Sequence, residues 1–282
     1  MIDKSTFDTQ IYPGGSKSLS DWKELFQYRN MIGQLVRRDF IVNYKQTVLG
    51  AFWAFIQPVV ATLIMGMVFG NFAGLSPDGV PMFLFYLSGQ FLWIFFSNCV
   101  NTTANVFIYN SELMRKVYFP RFVFPIDAAV SGMITLLIHI GTFTVIYIAY
   151  VLGGVAVRPN AGLLLIPLYV LQLTLLALGV GSILASLSTK YRDIAVMTSY
   201  GLLIWMYISP IVYDVNIVPE KYLWLYLLNP VSPIVINIRH GLFGLPGTSF
   251  GSYCFSLIVA LTVFLIGSRM FHKAGRIFVD TN

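Results

Sequence analysis

The sequence predicts an all-α integral membrane protein. It has six transmembrane helices, an amphipathic helix ahead of them, and a re-entrant or periplasmic hairpin between spans five and six. Three observations predict it. Of 282 residues, 57% are hydrophobic and only 11% are charged, at a mean hydropathy of +0.74, whereas a soluble domain carries roughly 25% charged residues. Apolar segments follow one another from about Gln46 onward, most of them close to the ~20 residues that a helix needs to cross a bilayer. Fifteen of the eighteen Lys and Arg residues fall in 1–47, 108–121, 189–193 and 269–282, leaving Arg158, Lys221 and Arg239 elsewhere. Basic residues collect on the cytoplasmic side, so this asymmetry fixes the orientation and puts both termini in the cytoplasm.

Residues 1–19 read as a flexible tail, because YPGGSKS interrupts any regular structure. Residues 20–45 read as an amphipathic helix. Asp21 and Glu24 fit a helix-start pattern. Lys23, Gln27, Asn30, Gln34, Arg37 and Arg38 recur at spacings of three and four, opposite Trp22, Leu25, Phe26, Ile32, Leu35, Val36 and Phe40. A cationic face of this kind suits the anionic inner leaflet. No cleavable signal peptide is expected in so polar a start.

The membrane domain is expected over 46–282. Span one covers about 48–72 and contains Pro58, which removes a backbone donor. Span two covers about 81–107, and its second half carries Asn98, Asn101, Thr102, Thr103 and Asn105. Amides facing lipid are costly, so this face is expected to pack on a neighbour or to line a wet path. Span three covers about 122–152, with Asp127 near its start and His139 near its middle. His139 is read as hydrogen-bonded to a neighbouring helix, since no acid sits at a matching depth elsewhere. Span four covers about 163–187, where Gly179 and Gly181 allow close helix contact. Span five covers about 194–213. The segment 214–251 carries four prolines and two apolar runs, each too short to span. It reads as a hairpin broken at Asn229-Pro230, and Arg239 and His240 within it suggest a wet, polar neighbourhood. Span six covers about 252–271.

Between spans two and three lies the only compact charged island in a long apolar block. Gly79 to Ser111 contains no ionisable Asp, Glu, Lys, Arg or His, and Ala128 to Val157 contains only His139. The link 110–120 holds Glu112, Arg115 and Lys116 and closes at Pro120. It can be read as an ordinary cytoplasmic loop or as a coupling helix that docks on a soluble motor. What the chain lacks favours the second reading. It has no GxxxxGK(S/T) phosphate loop, no HExxH, no CxxC and no GxSxG. It has no paired membrane carboxylates for proton-driven transport and no acid or histidine cluster for an enzyme acting on lipid-linked sugars. Cys99 and Cys254 suggest no disulfide framework and no metal site. The net charge of +6 follows from the positive-inside pattern and implies no nucleic-acid partner. A pathway without an energy source calls for a separate motor subunit.

Several stretches then match one family. Arg37-Arg38-Asp39 followed by YKQTVLGAFWAFIQP (Tyr44–Pro58) resembles the start of the membrane domain in ABC-2 type polysaccharide permeases, the exporters of lipid-linked O-antigen, capsule or teichoic acid. NSELMRKVYFP (Asn110–Pro120) resembles the same family's link between spans two and three. Tyr191-Arg-Asp193, SPIVY (Ser209–Tyr213) and Leu228-Asn-Pro230 follow in the family's order. The resemblance runs from about residue 20 to the C-terminus. It departs at Phe122, where the pattern places an acidic residue.

The resemblance implies a homodimeric channel in the bacterial cytoplasmic membrane. Two copies of a separate nucleotide-binding subunit would dock beneath it, with ATP and Mg held there and no cofactor in this chain. It makes 20–45 an interface helix, with Lys23, Arg29, Arg37 and Arg38 on its basic face. That face suits the pyrophosphate of a lipid-linked substrate and equally suits membrane lipid headgroups. It makes 110–120 the coupling helix, with Glu112, Leu113, Met114, Arg115, Lys116 and Val117 meeting the motor, and 214–251 a gate on the outer side. Aromatic faces stack on sugar rings, so Phe52, Trp53, Phe55, Phe91, Trp93, Trp205 and Tyr207 are candidate channel-lining residues, although aromatics gather at membrane interfaces in any case. An ABC-2 permease for a small lipid or drug is the alternative; a long charged outer domain would favour it, and the chain has none.

Overall fold

The structure, a computed structural model, describes residues 26–44, 50–75, 77, 79–116, 119–155, 157–191 and 193–280, excepting the side chains of 43, 44, 51, 115, 116 and 276–280. No strand occurs among them. The helix α1 covers Arg29–Tyr44. A 3-10 turn, Gly50–Phe52, leads into α2, Trp53–Met65, which continues as a π-helical stretch over Gly66–Phe72. Next come α3, Met82–Ala104; α4, Val106–Tyr109; and α5, Ser111–Lys116. Then follow α6, Val123–Leu152; a 3-10 turn, Ala161–Leu165; α7, Ile166–Ser188; and α8, Asp193–Ile208. The segment between α8 and the last helix holds α9, Glu220–Leu227, and α10, Val231–Phe243. Finally α11 covers Phe250–Asp280.

Among the described residues five helical stretches are long and apolar enough to cross a membrane: Trp53–Phe72, Met82–Ala104, Val123–Leu152, Ala161–Ser188 and Phe250–Gly275. The expected fifth span is shorter than the sequence suggests. Its helix, α8, has 16 residues and ends at Ile208 rather than near Tyr213. The reason is local: Pro210 cannot donate to the helical ladder and disfavours helical backbone in the residue before it. The last helix is longer than expected and runs on to Asp280 without a break.

The bundle is built around α3 and α7. Most of the apolar window of α3 is buried inside the chain, whereas most of α6 and α11 faces outward. One side of α7 lies against α11 and the other against α3. Glycines make both contacts possible, as the sequence suggested. A Cβ on Gly179 would stand 2.6 Å from the backbone nitrogen of Phe264 in α11. A Cβ on Gly181 would stand 2.6 Å from Cβ of Thr103 in α3. Outside this centre, α2 and α6 pack on α3, α1 lies across α6, and α10 docks on the outer part of α7 and the turn before it.

The buried apolar residues form two clusters. The larger fills the bundle from Cys99 outward and takes in Phe91, Phe96, Leu136, Leu173, Ile211 and Ile234. The smaller gathers Leu35, Phe107, Met114, Phe119, Phe122, Phe271 and Ala274 at the opposite end.

Candidate functional site

The short link between α3 and α6 is pressed onto the end of the bundle. At the end of α3 the side chain of Asn105 donates to the Asn101 carbonyl at 2.9 Å, and its backbone N–H reaches the same oxygen at 3.1 Å. That double bond turns the chain into α4. In α5, Met114 is 6% exposed and points into the smaller cluster, Leu113 is half-buried, and Glu112 is exposed. An acid in the first turn of a helix is favoured by the unpaired N–H groups there. The side chains of Arg115 and Lys116, and Val117 as a whole, lie outside the described residues.

The floor beneath α5 is aromatic. Phe107 and Phe271 stack at 4.8 Å between centroids, Phe119 meets Phe124 edge-on at 5.4 Å, and Phe122 stacks on His272 at 5.4 Å while meeting Phe271 edge-on. This explains the departure at Phe122. The residue is 1% exposed in the middle of that cluster, where a carboxylate would be buried at high cost. The cluster joins α1 (Leu35), α5, the start of α6, the end of α7 (Ala185) and α11 (Phe271). Phe107 of α4 belongs to it as well, so α5 shares this cluster with five other helices.

On α1, Leu35 and Val36 are buried, while Arg29, Arg37 and Arg38 are exposed. Arg29 lies over the Phe26 ring at 5.4 Å. Arg38 pairs with Asp39 at 2.8 Å, a half-exposed contact worth about 0–1 kcal/mol. Lys23 lies outside the described residues.

The seven candidate aromatics fall into three groups. Phe52, Trp53 and Phe55 are exposed at the start of α2, with Phe52 and Phe55 stacked at 5.9 Å. Phe91 and Trp93 are buried inside the chain, Phe91 stacked on the His139 ring at 4.9 Å and Trp93 tilted against Phe96 at 5.4 Å. On α8, Tyr207 is exposed and Trp205 is half-buried, its Nε1 donating to Asn229 Oδ1 at 3.0 Å.

His139 does bond to a neighbouring helix, with Nε2 at 3.0 Å from the Ala54 carbonyl of α2. That bond lies at the head of a cavity of about 450 Å³ between α1, α2, α3 and α6. Its walls include Asp39, Trp53, Gln57, Asn98, Thr102, Ser131 and Thr135. The sequence carried a signal for it. Asn98 and Thr102 are four apart on α3, and Ser131, Thr135 and His139 are four apart on α6, so each set shares one helix face. Only the fold turns the two faces toward each other.

Arg239 corrects the expectation of a wet hairpin. It is 3% exposed. Its Nη2 donates to the Phe85 and Ile211 carbonyls at 3.1 Å each, its Nη1 to the Pro210 carbonyl, and its Nε to Ser88 Oγ at 3.4 Å. The guanidinium also stacks on the Phe85 ring at 3.6 Å. Among the described residues no carboxylate lies within ion-pair distance of it. The Pro210 and Ile211 carbonyls are available because they lie in the turn after α8, which ends at Ile208, where no helical donor reaches them. The arginine takes the place of the missing donors. Gly89 makes room, since a Cβ there would lie 2.6 Å from Nη2. His240, next in sequence, joins a separate polar knot in which Asn160 Nδ2 donates to the His240 carbonyl at 3.0 Å. Beside it, Asn237 Oδ1 accepts from Thr248 N at 3.0 Å and Oγ1 at 3.1 Å.

Comparison with known proteins places this architecture. An O-antigen export system permease protein RfbA of Klebsiella pneumoniae is 25% identical over 247 residues, covering 87% of this chain and 92% of the relative. The RfbA of Myxococcus xanthus is 27% identical over 199 residues, covering 71% and 74%. The capsule polysaccharide export inner-membrane protein CtrC of Neisseria meningitidis is 21% identical over 247 residues, covering 87% and 91%. The family described as ABC-2 type transporter matches residues 31–243, which is the span from α1 through the last residue of α10. With three quarters of its length matched, from α1 to α10, the chain belongs to the ABC-2 type transporter family.

Proposed function

We propose that this chain is the membrane-spanning subunit of an ATP-driven exporter of lipid-linked polysaccharide, of the O-antigen or capsule kind. Two copies form the channel in the bacterial inner membrane, and two copies of a separate nucleotide-binding subunit hydrolyse ATP, with Mg, beneath them. The chain spans the bilayer six times, with α8 as the fifth span, the α9–α10 hairpin outside and both termini in the cytoplasm. The skew of Lys and Arg to the inner segments supports that orientation. The relatives named for O-antigen and capsule export support the substrate class.

The observation that carries the reading is the seat of α5. A six-residue helix with an exposed Glu112 and a buried Met114 rests on an apolar cluster that it shares with five other helices. A motor that closes on ATP and moves α5 would move those helices together. Met114 and Phe122 fasten the link to the bundle, so the motor is met by the exposed Glu112 and the open side of the half-buried Leu113. The chain contributes conformational change, not chemistry.

The test is purification of the full chain with its partners. A phosphate-loop ATPase is expected to co-purify at one-to-one stoichiometry, and deletion of the chain is expected to abolish surface polysaccharide. Leu113→Asp is expected to leave the spans folded, to lower ATPase stimulation by the membrane subunit at least about tenfold, the scale of ~1.4 kcal/mol of lost contact, and to stop export. Transport by the purified chain alone in liposomes would overturn the reading.

A further inference from the structure

The cavity between α1, α2, α3 and α6 is not explained by packing. Gln57, Asn98 and Thr102 line it and hydrogen-bond to none of the described residues. All three lie inside stretches apolar enough to cross a membrane, where a polar group without a partner is costly. Asn98 stands six residues before the end of α3, about 9 Å along the helix axis. On α6, Thr135 and His139 stand twelve and sixteen residues from the start, about 18 and 24 Å along. In the proposed orientation the cavity runs from the inner headgroup level to the middle of the bilayer.

We propose that this cavity, lined by residues of a single copy of the chain, binds the neutral sugar next to the lipid anchor of the exported glycolipid. The inference rests on the exporter reading and names where its substrate first engages. The chemistry of the wall selects the occupant. Amides and hydroxyls offer both donors and acceptors, which matches sugar hydroxyls, themselves both. Trp53 and Phe40 place aromatic rings beside them. Among the described residues the only charged side chain in the lining is Asp39, already paired with Arg38. Behind the wall, Ser131 Oγ donates to the buried Asp127 at 3.4 Å. Among the described residues no lysine or arginine faces the cavity, so there a phosphate would find carboxylates where it needs cations. The volume, about 450 Å³, falls in the range of small-ligand sites, roughly 300–1,000 Å³.

The probe is an alkyl glucoside carrying a photoreactive diazirine on its first methylene, used on the full complex in nanodiscs, with labelled peptides mapped by mass spectrometry. A matched alkyl phosphocholine with the same diazirine is the control. Labelling by the glucoside is expected on peptides containing Trp53–Pro58 and Ile94–Thr102, with little from the phosphocholine. Asn98→Leu and Trp53→Leu are each expected to lower it about five- to tenfold, the scale of a lost hydrogen bond or stacking contact, while Trp53→Phe retains most of it. Both leucine variants are more apolar than the native residues, so insertion is not at risk. Absence of labelling there, equal labelling by the phosphocholine, or no change in Asn98→Leu would overturn the proposal even in a complex that exports polysaccharide. Loss of surface polymer on deleting the chain tests the exporter reading separately.

Discussion

Replacing Gly267 with leucine is expected to prevent the bundle from closing. A Cβ on Gly267 would stand 2.2 Å from the carbonyl oxygen of Gly179, backbone that cannot turn aside as a side chain could. Ordinary contact needs about an ångström more, so α7 and α11 would have to separate along their largest shared surface. Helices in a membrane gain no hydrophobic energy from meeting, since lipid is equally apolar, and their association depends on this close packing. Gly267→Ala is expected to cost about 1–3 kcal/mol, the range for overpacking a tight core. Gly267→Leu is expected to exceed that range and to leave little protein at the monodisperse peak in detergent. Gly141, with nothing within 4 Å of its Cβ, provides the contrast, and Gly141→Ala is expected to behave as the native chain. A Gly267→Leu protein with an unchanged melting temperature would show that the α7–α11 contact is not as close as described.

The second large effect is expected at Arg239. In Arg239→Met the side chain keeps its length and loses every donor, leaving the Pro210 and Ile211 carbonyls without the bonds they now accept, while the Phe85 carbonyl keeps its bond from the Ser88 hydroxyl. Each buried acceptor left unpaired costs about 1–3 kcal/mol, so the two together set an expected loss of roughly 2–6 kcal/mol. Arg239→Lys keeps the charge but has no fork, so it can serve one or two of the acceptors and is expected to recover only part of the loss. Thermal unfolding in detergent reads the size of the effect. Hydrogen exchange at Ile211–Tyr213 reads its place, because the released turn after α8 should exchange faster while α3 stays protected. Equal stability of Arg239→Met and the native chain would sink this account.

These two sites were not equally legible in the sequence. A glycine pair inside an apolar run announces close contact whatever the partner is, so Gly179 and Gly181 could be read directly, whereas the partner, Gly267, could not. His139 was legible for a similar reason: with no acid at its depth, it had to find a backbone or amide partner, and it found Ala54. The approximate span limits followed from Pro81, Asn110 and Gly153, which end apolar periodicity locally. Arg239 misled because a lone arginine in a proline-rich hairpin is ordinarily solvated. Its true partners are the Pro210 and Ile211 carbonyls of the turn after α8 and the Phe85 carbonyl of α3, and pairings at such separations leave no local pattern. Phe122 misled differently. The family pattern pointed to an acid, and only the meeting of α4, α6 and α11 shows that the position is interior. The cavity lies between these cases, with both polar stripes readable and their apposition hidden.

The shortness of α8 has a consequence for the lipid. At 16 residues the helix is about 24 Å long, some 6 Å less than a hydrocarbon core of ~30 Å. In the proposed topology the turn that would complete the crossing is irregular backbone, which is tolerated only where protein shields it from lipid, and Arg239 holds it inward. With α8 as the fifth span, lipids along this flank would compress to meet the shorter wall, at a fraction of a kcal/mol for each ångström of mismatch. The membrane would then be thinned beside each copy and would store elastic energy there. A movement of α8 that lengthened or shortened its apolar surface would exchange energy with that dimple, so chain length in the surrounding lipids would tune how readily the proposed exporter opens.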